Sequence, residues 1–403
     1  MATAATRRIT RGAVIAGRVP ALPSIRDLTA STNKGGAFLQ LNPVDLPPEV
    51  VSLICEEVCD RETLAYLCRT SRAFLSIAQH ALYQTVELED LPESSIMPFF
   101  LAVAHRSHLA ARVHSLTVQI PPGRAMRQEF AEKFATALRV CVNLKDLAIL
   151  CRKNALPNTD TDHTWIFDYC QFHLTTFVNS YFEFGRKLLP FLEGQSQLRV
   201  LVANRGLTMI HPEIFSPPRM PNLVAVCGYI KFLSKERPLE RIETSLVVRE
   251  DIAVLPIFGH FSATLTTLNL LITQRLFPAE VMRQVSGLCP ALRHFVVREL
   301  HTSNPRRTLG LAASLPENPT YLMAFTQLET FAFILVAGSN ERGDASLKAA
   351  ARMVADACPT LRRVVVGNQH RGSCMAARTV VGGMVTLTEG KRVTLDDVSM
   401  FWE

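Results

Sequence analysis

The sequence predicts an α/β fold: a module of three short helices, then an irregular repeat that builds a curved parallel sheet. Three observations carry that expectation. Helix-start signals followed by one-sided apolar stripes recur between residues 42 and 83. A Leu-x-x-apolar-x-apolar template then returns again and again through the rest of the chain. Between its copies lie amphipathic helical segments, three of which end in a Cys three residues before the strand leucine. With 403 residues at 48% hydrophobic, the chain can bury one large core or two smaller ones.

The first helix is expected after Asp45. Pro47 and Pro48 fall in its first turn, where a missing N–H costs nothing, and Glu49 complements the positive end of the dipole. Val50, Val51, Ile54 and Val58 recur at spacings that place them on one face. Asp60 breaks the pattern and caps a second helix carrying Leu64 and Leu67. A third begins near Ser71 and aligns Phe74, Ile77, Ala78, Ala81 and Leu82 on one stripe. Helices this short cannot bury all their own apolar surface, so part of it must meet a neighbour or a partner.

The order Leu46-Pro47-x-Glu49-Val50, then Ile54, Leu64, Leu67-Cys68 and Phe74 resembles an F-box, with Phe74 where many members carry Trp. The resemblance covers about residues 44–83, and "ALYQTVEL" (Ala81 to Leu88) is similar to the junction by which fungal F-box proteins enter their repeat region. It implies a three-helix F-box-like module that docks the Skp-type adaptor of a cullin-RING ubiquitin ligase. The adaptor-binding residues it implies are Leu46, Pro47, Glu49, Val50, Ile54, Leu64, Leu67, Cys68 and Phe74.

The repeat accounts for the remainder. "LKDLAI" (from Leu144), "LRVLVA" (Leu198), "LTTLNL" (Leu265), "LRHFVV" (Leu292), "LETFAF" (Leu328) and "LRRVVV" (Leu361) share the template. "VHSLTV" (Val113), "LTTFVN" (Leu174) and "LVAVCG" (Leu223) are frayed copies, and successive copies lie 24 to 42 residues apart. That interval fits one strand plus one helix or loop per unit. Phe130, Phe134, Leu138 and Cys141 share one helical face, as do Val281, Val285 and Leu288, and Leu347, Val354 and Ala357. Cys141, Cys289 and Cys358 close these helices, the last two within Cys-Pro-x-Leu-Arg, where Pro stops the helix and favours extended chain.

A one-sided helix and a short strand hide their apolar faces only by stacking on copies of themselves. The result resembles a divergent leucine-rich-repeat solenoid, of the kind that follows many F-boxes. Unit lengths vary, the usual Asn after the strand stands only at Asn204, and Arg152 to Phe172 and Arg298 to Phe325 read as insertions or loops. The resemblance implies that the concave strand face and the insertions hold a recruited protein. The domains expected are a disordered basic tail over 1–41, the F-box-like module over 42–83 and the solenoid over 84–403.

Charge excludes a nucleic-acid role for the body. Of the net +7, residues 1–41 supply six basic side chains against Asp27 alone, leaving 37 basic and 35 acidic residues in the other 362. The tail has the composition of a mitochondrial presequence or of a disordered segment, and Gly12, Gly17 and Pro20 interrupt any amphipathic helix. The long uncharged stretch Ile252 to Gln274 is broken by Pro256 and His260, so no membrane span is expected. Ten cysteines without a secretory signal pattern or an N-glycosylation acceptor point to a reducing compartment, cytoplasm or nucleus.

Enzyme signatures are lacking. "GGMVTLTEGKRV" (Gly382 to Val393) has the wrong spacing for a phosphate loop and reads as strand and turn. Cys55, Cys59, Cys68 and His80 lack the paired-cysteine turns of a zinc site, and Glu56 and Glu57 would raise the pKa of a Cys55 thiol. Asp160, Asp162, His163, Asp168 and His173 offer ligand types for a divalent metal, but a polar loop accounts for them equally well. The expectation is therefore a non-enzymatic adaptor subunit with no cofactor or metal, binding the Skp-type adaptor and an unknown protein substrate. The alternative is a non-ligase scaffold in which the N-terminal helices cap the solenoid.

Overall fold

The computed structural model describes residues 47–58, 60–120, 126–151, 163–203, 216, 219–273, 276–300, 320–335, 343–368, 372–390, 393–395 and 397–402. The basic tail, Leu46, Cys59, Asp160, Asp162 and Asn204 lie outside them. The chain divides into two compact units between Leu174 and Thr175. Both are mixed α/β structures built around mostly parallel strands.

The first unit holds α1 (Pro48–Glu57), α2 (Arg61–Thr70), α3 (Arg72–Gln84), α4 (Glu93–His105) and α5 (Gln128–Val140). Its strands are β1 (Thr85–Leu88), β2 (Ser115–Ile120) and β3 (Asp146–Cys151). They run parallel, with Thr85 beside Ser115 and Ser115 beside Asp146. These three N-terminal helices thus share a compact unit with three strands. α4 and α5 are locked by aromatic rings: Phe100 stacks on Phe134 at 5.1 Å and meets Phe130 edge-on at 5.4 Å. Phe130, Phe134, Leu138 and Cys141 are all buried, as their spacing predicts.

The second unit carries β4 (Thr176–Asn179), β5 (Val200–Ala203), β6 (Ala225–Cys227), β7 (Arg241–Leu246), β8 (Thr267–Thr273), β9 (His294–Leu300), β10 (Thr330–Leu335) and β11 (Arg363–Asn368). These pair in sequence order, all parallel. β12 (Ser373–Ala377) and β13 (Thr386–Gly390) then add antiparallel. The crossovers include a run of 3-10 turns over Arg249–Phe261, α6 (Pro278–Leu288) and α7 (Gly343–Ala357). Ile252 to Gln274 therefore spans the end of those turns and β8. Among the described residues no helix is long and apolar enough to cross a membrane.

Each of the nine template copies opens or immediately precedes a strand. Where a Cys closes the preceding helix, its carbonyl accepts the N–H of the leucine three residues on, at 3.1 Å for Leu144 and Leu361 and 3.2 Å for Leu292. The carbonyl just before a strand then takes two N–H groups from the next repeat. The Glu240 oxygen accepts from Thr266 at 2.9 Å and Thr267 at 3.1 Å, and the Thr266 oxygen from Arg293 at 3.0 Å and His294 at 2.9 Å. β7 departs from the template because Thr244 stands where its last apolar residue would be, in register with Leu270. Asn179 ends β4 fully buried, and its side-chain oxygen accepts the Tyr181 and Phe182 amides, an Asn-closed turn that the sequence reading had assigned to Asn204 alone.

The two faces of this sheet are covered differently. Val364, Val366, Cys374 and Ala376 lie on the side where α7 packs on β11 and β12. On the other side Val296, Ala332, Ile334 and Val365 pack against Val393, Leu395 and Val398 of the C-terminal segment. Gly367 permits this approach, since a methyl group there would collide with the Val393 side chain.

Phe100 is fully buried at the centre of the first unit's aromatic cluster. Phe100→Ala is expected to lower the free energy of unfolding by about 3–5 kcal/mol in urea titrations. A loss well under 1 kcal/mol would mean that the ring is not a core contact.

Candidate functional site

Each N-terminal helix starts on a defined cap. The Pro47 carbonyl accepts the Val50 and Val51 amides at 3.0 and 3.1 Å, and Pro48 occupies the first turn of α1. Asp60 accepts from the Thr63 amide at 2.7 Å and the Thr63 hydroxyl at 2.6 Å, and these bonds hold its carboxyl below the usual range. Ser71 accepts the Phe74 amide at 3.2 Å to open α3.

The three helices form their own small core of Val51, Cys55, Leu64, Cys68 and Ala78, flanked by half-buried Leu67 and Phe74. Two of the residues implied as adaptor contacts, Leu64 and Cys68, therefore lie inside the module, while Pro47 and Glu49 are exposed. Leu46 lies outside the described residues. The expectation that Val50, Val51, Ile54 and Val58 share one face is corrected. At roughly 100° per residue, Val51, Cys55 and Val58 line up inward. Val50, Leu53 and Ile54 line up outward, exposed by 38%, 61% and 37%. Leu53 was missed, although its position three after Val50 and one before Ile54 marks a second apolar face on the same helix.

The same module is tied to the strands of its unit. Arg61 donates to the Thr85 and Glu87 carbonyls, both at 3.1 Å, and sits 3.5 Å from the Glu87 carboxylate. Arg112 donates to the Ser76 carbonyl at 2.8 Å. β1 pairs with β2 on one side, and Arg61 covers two of its outward carbonyls on the other.

Burial sets the character of several thiols. Burial, then Glu56, pushes Cys55 up, and burial pushes Cys141, Cys170 and Cys289 to about 12. Cys227, buried beside Glu243, is also raised well above the usual thiol range. Of the metal-ligand types noted around residues 160–173, His163, Asp168 and His173 are described, and no group of three or more ligands that could hold a metal occurs among the described residues.

The second unit contains one polar row under cover. Cys227, Glu243 and Asn269 are neighbours across β6, β7 and β8, on the face that the C-terminal segment overlies. The Cys227 thiol reaches Glu243 at 3.5 Å, and the Asn269 amide donates to Glu243 at 3.0 Å and to the Ser399 hydroxyl at 2.6 Å. The Asn269 Oδ1 atom is buried and accepts no hydrogen bond within the protein. Burial raises the Glu243 carboxyl, only partly offset by its bonds from Asn269 and Cys227 and by Arg298. A different carboxylate, Asp251, is also buried, but the Tyr229 hydroxyl, the Val248 and Val247 amides and Lys231 outweigh burial and hold it below the usual range.

No protein-family model matches the sequence, and no curated protein matches it.

Because Glu243 binds its proton more tightly when folded, its contribution to stability is complete below the unfolded pKa and is lost as pH rises through the folded one. Glu243→Gln fixes the neutral form. Its melting temperature relative to the unaltered protein should therefore climb as pH rises above the ordinary glutamate range. A difference that stays flat or falls would show that the carboxyl is not held up.

Proposed function

We propose that this chain is a substrate-recognition subunit of an SCF-type cullin-RING ubiquitin ligase. Its F-box-like helices seat the Skp-type adaptor, and its leucine-rich-repeat-like body holds a target protein. The observation that carries the reading is the outer face of α1. A module with a complete core of its own leaves Val50, Leu53 and Ile54 uncovered beside Pro47. Burying a half-exposed aliphatic side chain contributes roughly 1–2 kcal/mol, so three in a row suit a subunit interface. Such a protein accelerates modification by holding two others close together, and no catalytic side chain of its own is required.

A second reading is favoured by Arg61. The helices also guard the open edge of β1, which is what a capping module of a non-ligase scaffold does. Guarding the edge uses α2, whereas the uncovered stripe lies on α1, so one module can do both.

Affinity capture separates the readings. The intact chain should retain a Skp-type adaptor, and Leu53→Asp with Ile54→Asp should lose at least about tenfold in affinity, the scale of a central interface contact, with an unchanged circular dichroism spectrum. Failure of the intact chain to retain the adaptor, or equal retention by the variant, overturns the ligase assignment. Arg61→Ala tests the cap, which requires a lowered melting temperature.

A further inference from the structure

The C-terminal segment lies on a sheet face that the repeat reading gives to the target. Thr394, Leu395, Asp397, Val398 and Ser399 form one capped turn: the Asp397 carboxylate accepts the Thr394 amide at 2.7 Å and its hydroxyl at 2.8 Å. The Leu395 carbonyl accepts the Val398 and Ser399 amides at 3.2 and 2.8 Å. This turn presents Leu395 and Val398 to the row Val296, Ala332 and Val365. It also presents the Ser399 hydroxyl to Asn269, while the Phe401 carbonyl accepts from Arg241 at 2.9 Å. Phe401 itself is fully buried.

Two features mark the seat of this turn. Asn269, whose amide nitrogen donates to Ser399, has a buried Oδ1 that accepts no hydrogen bond among the described residues. Beside the turn, a shallow cleft stays open between Met400 and Val398 on one side and Thr330, Arg363 and Val365 on the other. The strand-start row on this face runs through Arg241, Thr267, His294, Thr330 and Arg363, and Arg241 already donates to a backbone carbonyl of the turn, as it could to that of an incoming chain.

We infer that this face is a docking surface for a short capped-turn peptide, with aliphatic residues at the first and fourth positions, a hydroxyl at the fifth and an aromatic at the seventh, and that the chain's own C-terminal turn occupies it as a displaceable stand-in. The inference rests on the reading of the repeats as the target-binding body and gives that target a chemistry. An incoming segment with one more donor than Ser399 would satisfy Asn269 and displace the stand-in. Until then the tethered turn competes at the high effective concentration of an intramolecular ligand.

The test uses the full chain and a fluorescent synthetic peptide with the sequence of residues 393–402. Leu395→Asp with Val398→Asp in the full chain is chosen to eject the tethered turn without changing any residue of the face. This variant should bind the peptide at least about a hundredfold more tightly than the unaltered chain, the scale set by removing a tethered competitor. The peptide with its serine replaced by alanine should bind about tenfold more weakly, the loss expected when a buried hydrogen-bond partner is removed. Equal binding by both chains, or indifference to the serine, overturns the inference.

Should the double variant fail to fold, hydrogen exchange in the unaltered chain decides. The Val398, Ser399 and Phe401 amides should exchange at least about a hundredfold faster than those of β8 to β10. Equal protection makes the turn a permanent part of the core and overturns the inference. Adaptor capture on the same chains keeps the two proposals apart. Peptide failure with the adaptor retained removes this inference alone, and peptide binding without adaptor removes the ligase reading alone.

Discussion

Wherever one repeat meets the next in the second unit, the carbonyl before a strand receives two amides from the following repeat, as at Thr175, Arg199, Val224, Glu240, Thr266, Arg293 and Glu329. In the first unit the His114 carbonyl does the same for Lys145 and Asp146. A three-to-seven-residue strand with polar backbone on both sides cannot be buried alone, because each unpaired group costs as much as a lost hydrogen bond. These shared carbonyls fix where each strand begins, and the parallel register follows from that start. Side chains then alternate, one set to the helices and turns, the next to the opposite face. Every other feature of the second unit, including the polar row and the C-terminal turn above it, depends on that alternation.

The cysteines belong to the same arrangement. Cys141, Cys289 and Cys358 stand at the ends of α5, α6 and α7, each with a carbonyl that takes the leucine amide beginning the next strand. All three side chains are buried. A small apolar residue is needed there because the chain reverses against the sheet, and Cys fills that space without branching at Cβ. These thiols serve as packing at helix-to-strand corners.

Much of this was legible because period and chemistry agreed. The strand template is a local pattern with a local cause, and each copy marks a strand. The caps at Asp60 and Ser71 are local too, and each forms its side-chain bond. What stayed hidden depends on distant residues. β7 carries Glu243 and Thr244 at interior positions, and only the approach of Asn269 and Ser399 from elsewhere in the chain makes a polar strand centre tolerable there. Which side of α1 turns inward was ambiguous, since "VVSLICEEV" is apolar on two faces, and the small Cys55 side chain, packed with Leu64 and Cys68, decides it. Gly367 has no local signature either, because its lack of a side chain matters only once Val393 arrives.

A parallel ladder is open at its ends, and the two units close theirs by different means. In the first, Arg61 donates to the outward carbonyls of β1, and a guanidinium suits this because its planar fork spans two acceptors at once. In the second, the direction of the chain reverses and β12 and β13 pair antiparallel, so the last strand is short and exposed, with Lys348 of α7 paired to Glu389 on it. Both devices use charge at an edge, which discourages pairing with a further strand. Recognition by edge-to-edge strand addition is disfavoured at both ends for the same reason. Two apolar faces then remain to compare, the outer face of α1 and the sheet face beneath the C-terminal turn. The first is uncovered and the second is filled by the chain itself, a difference that follows from size: three aliphatic side chains on a helix can remain in water, whereas a whole apolar sheet face cannot.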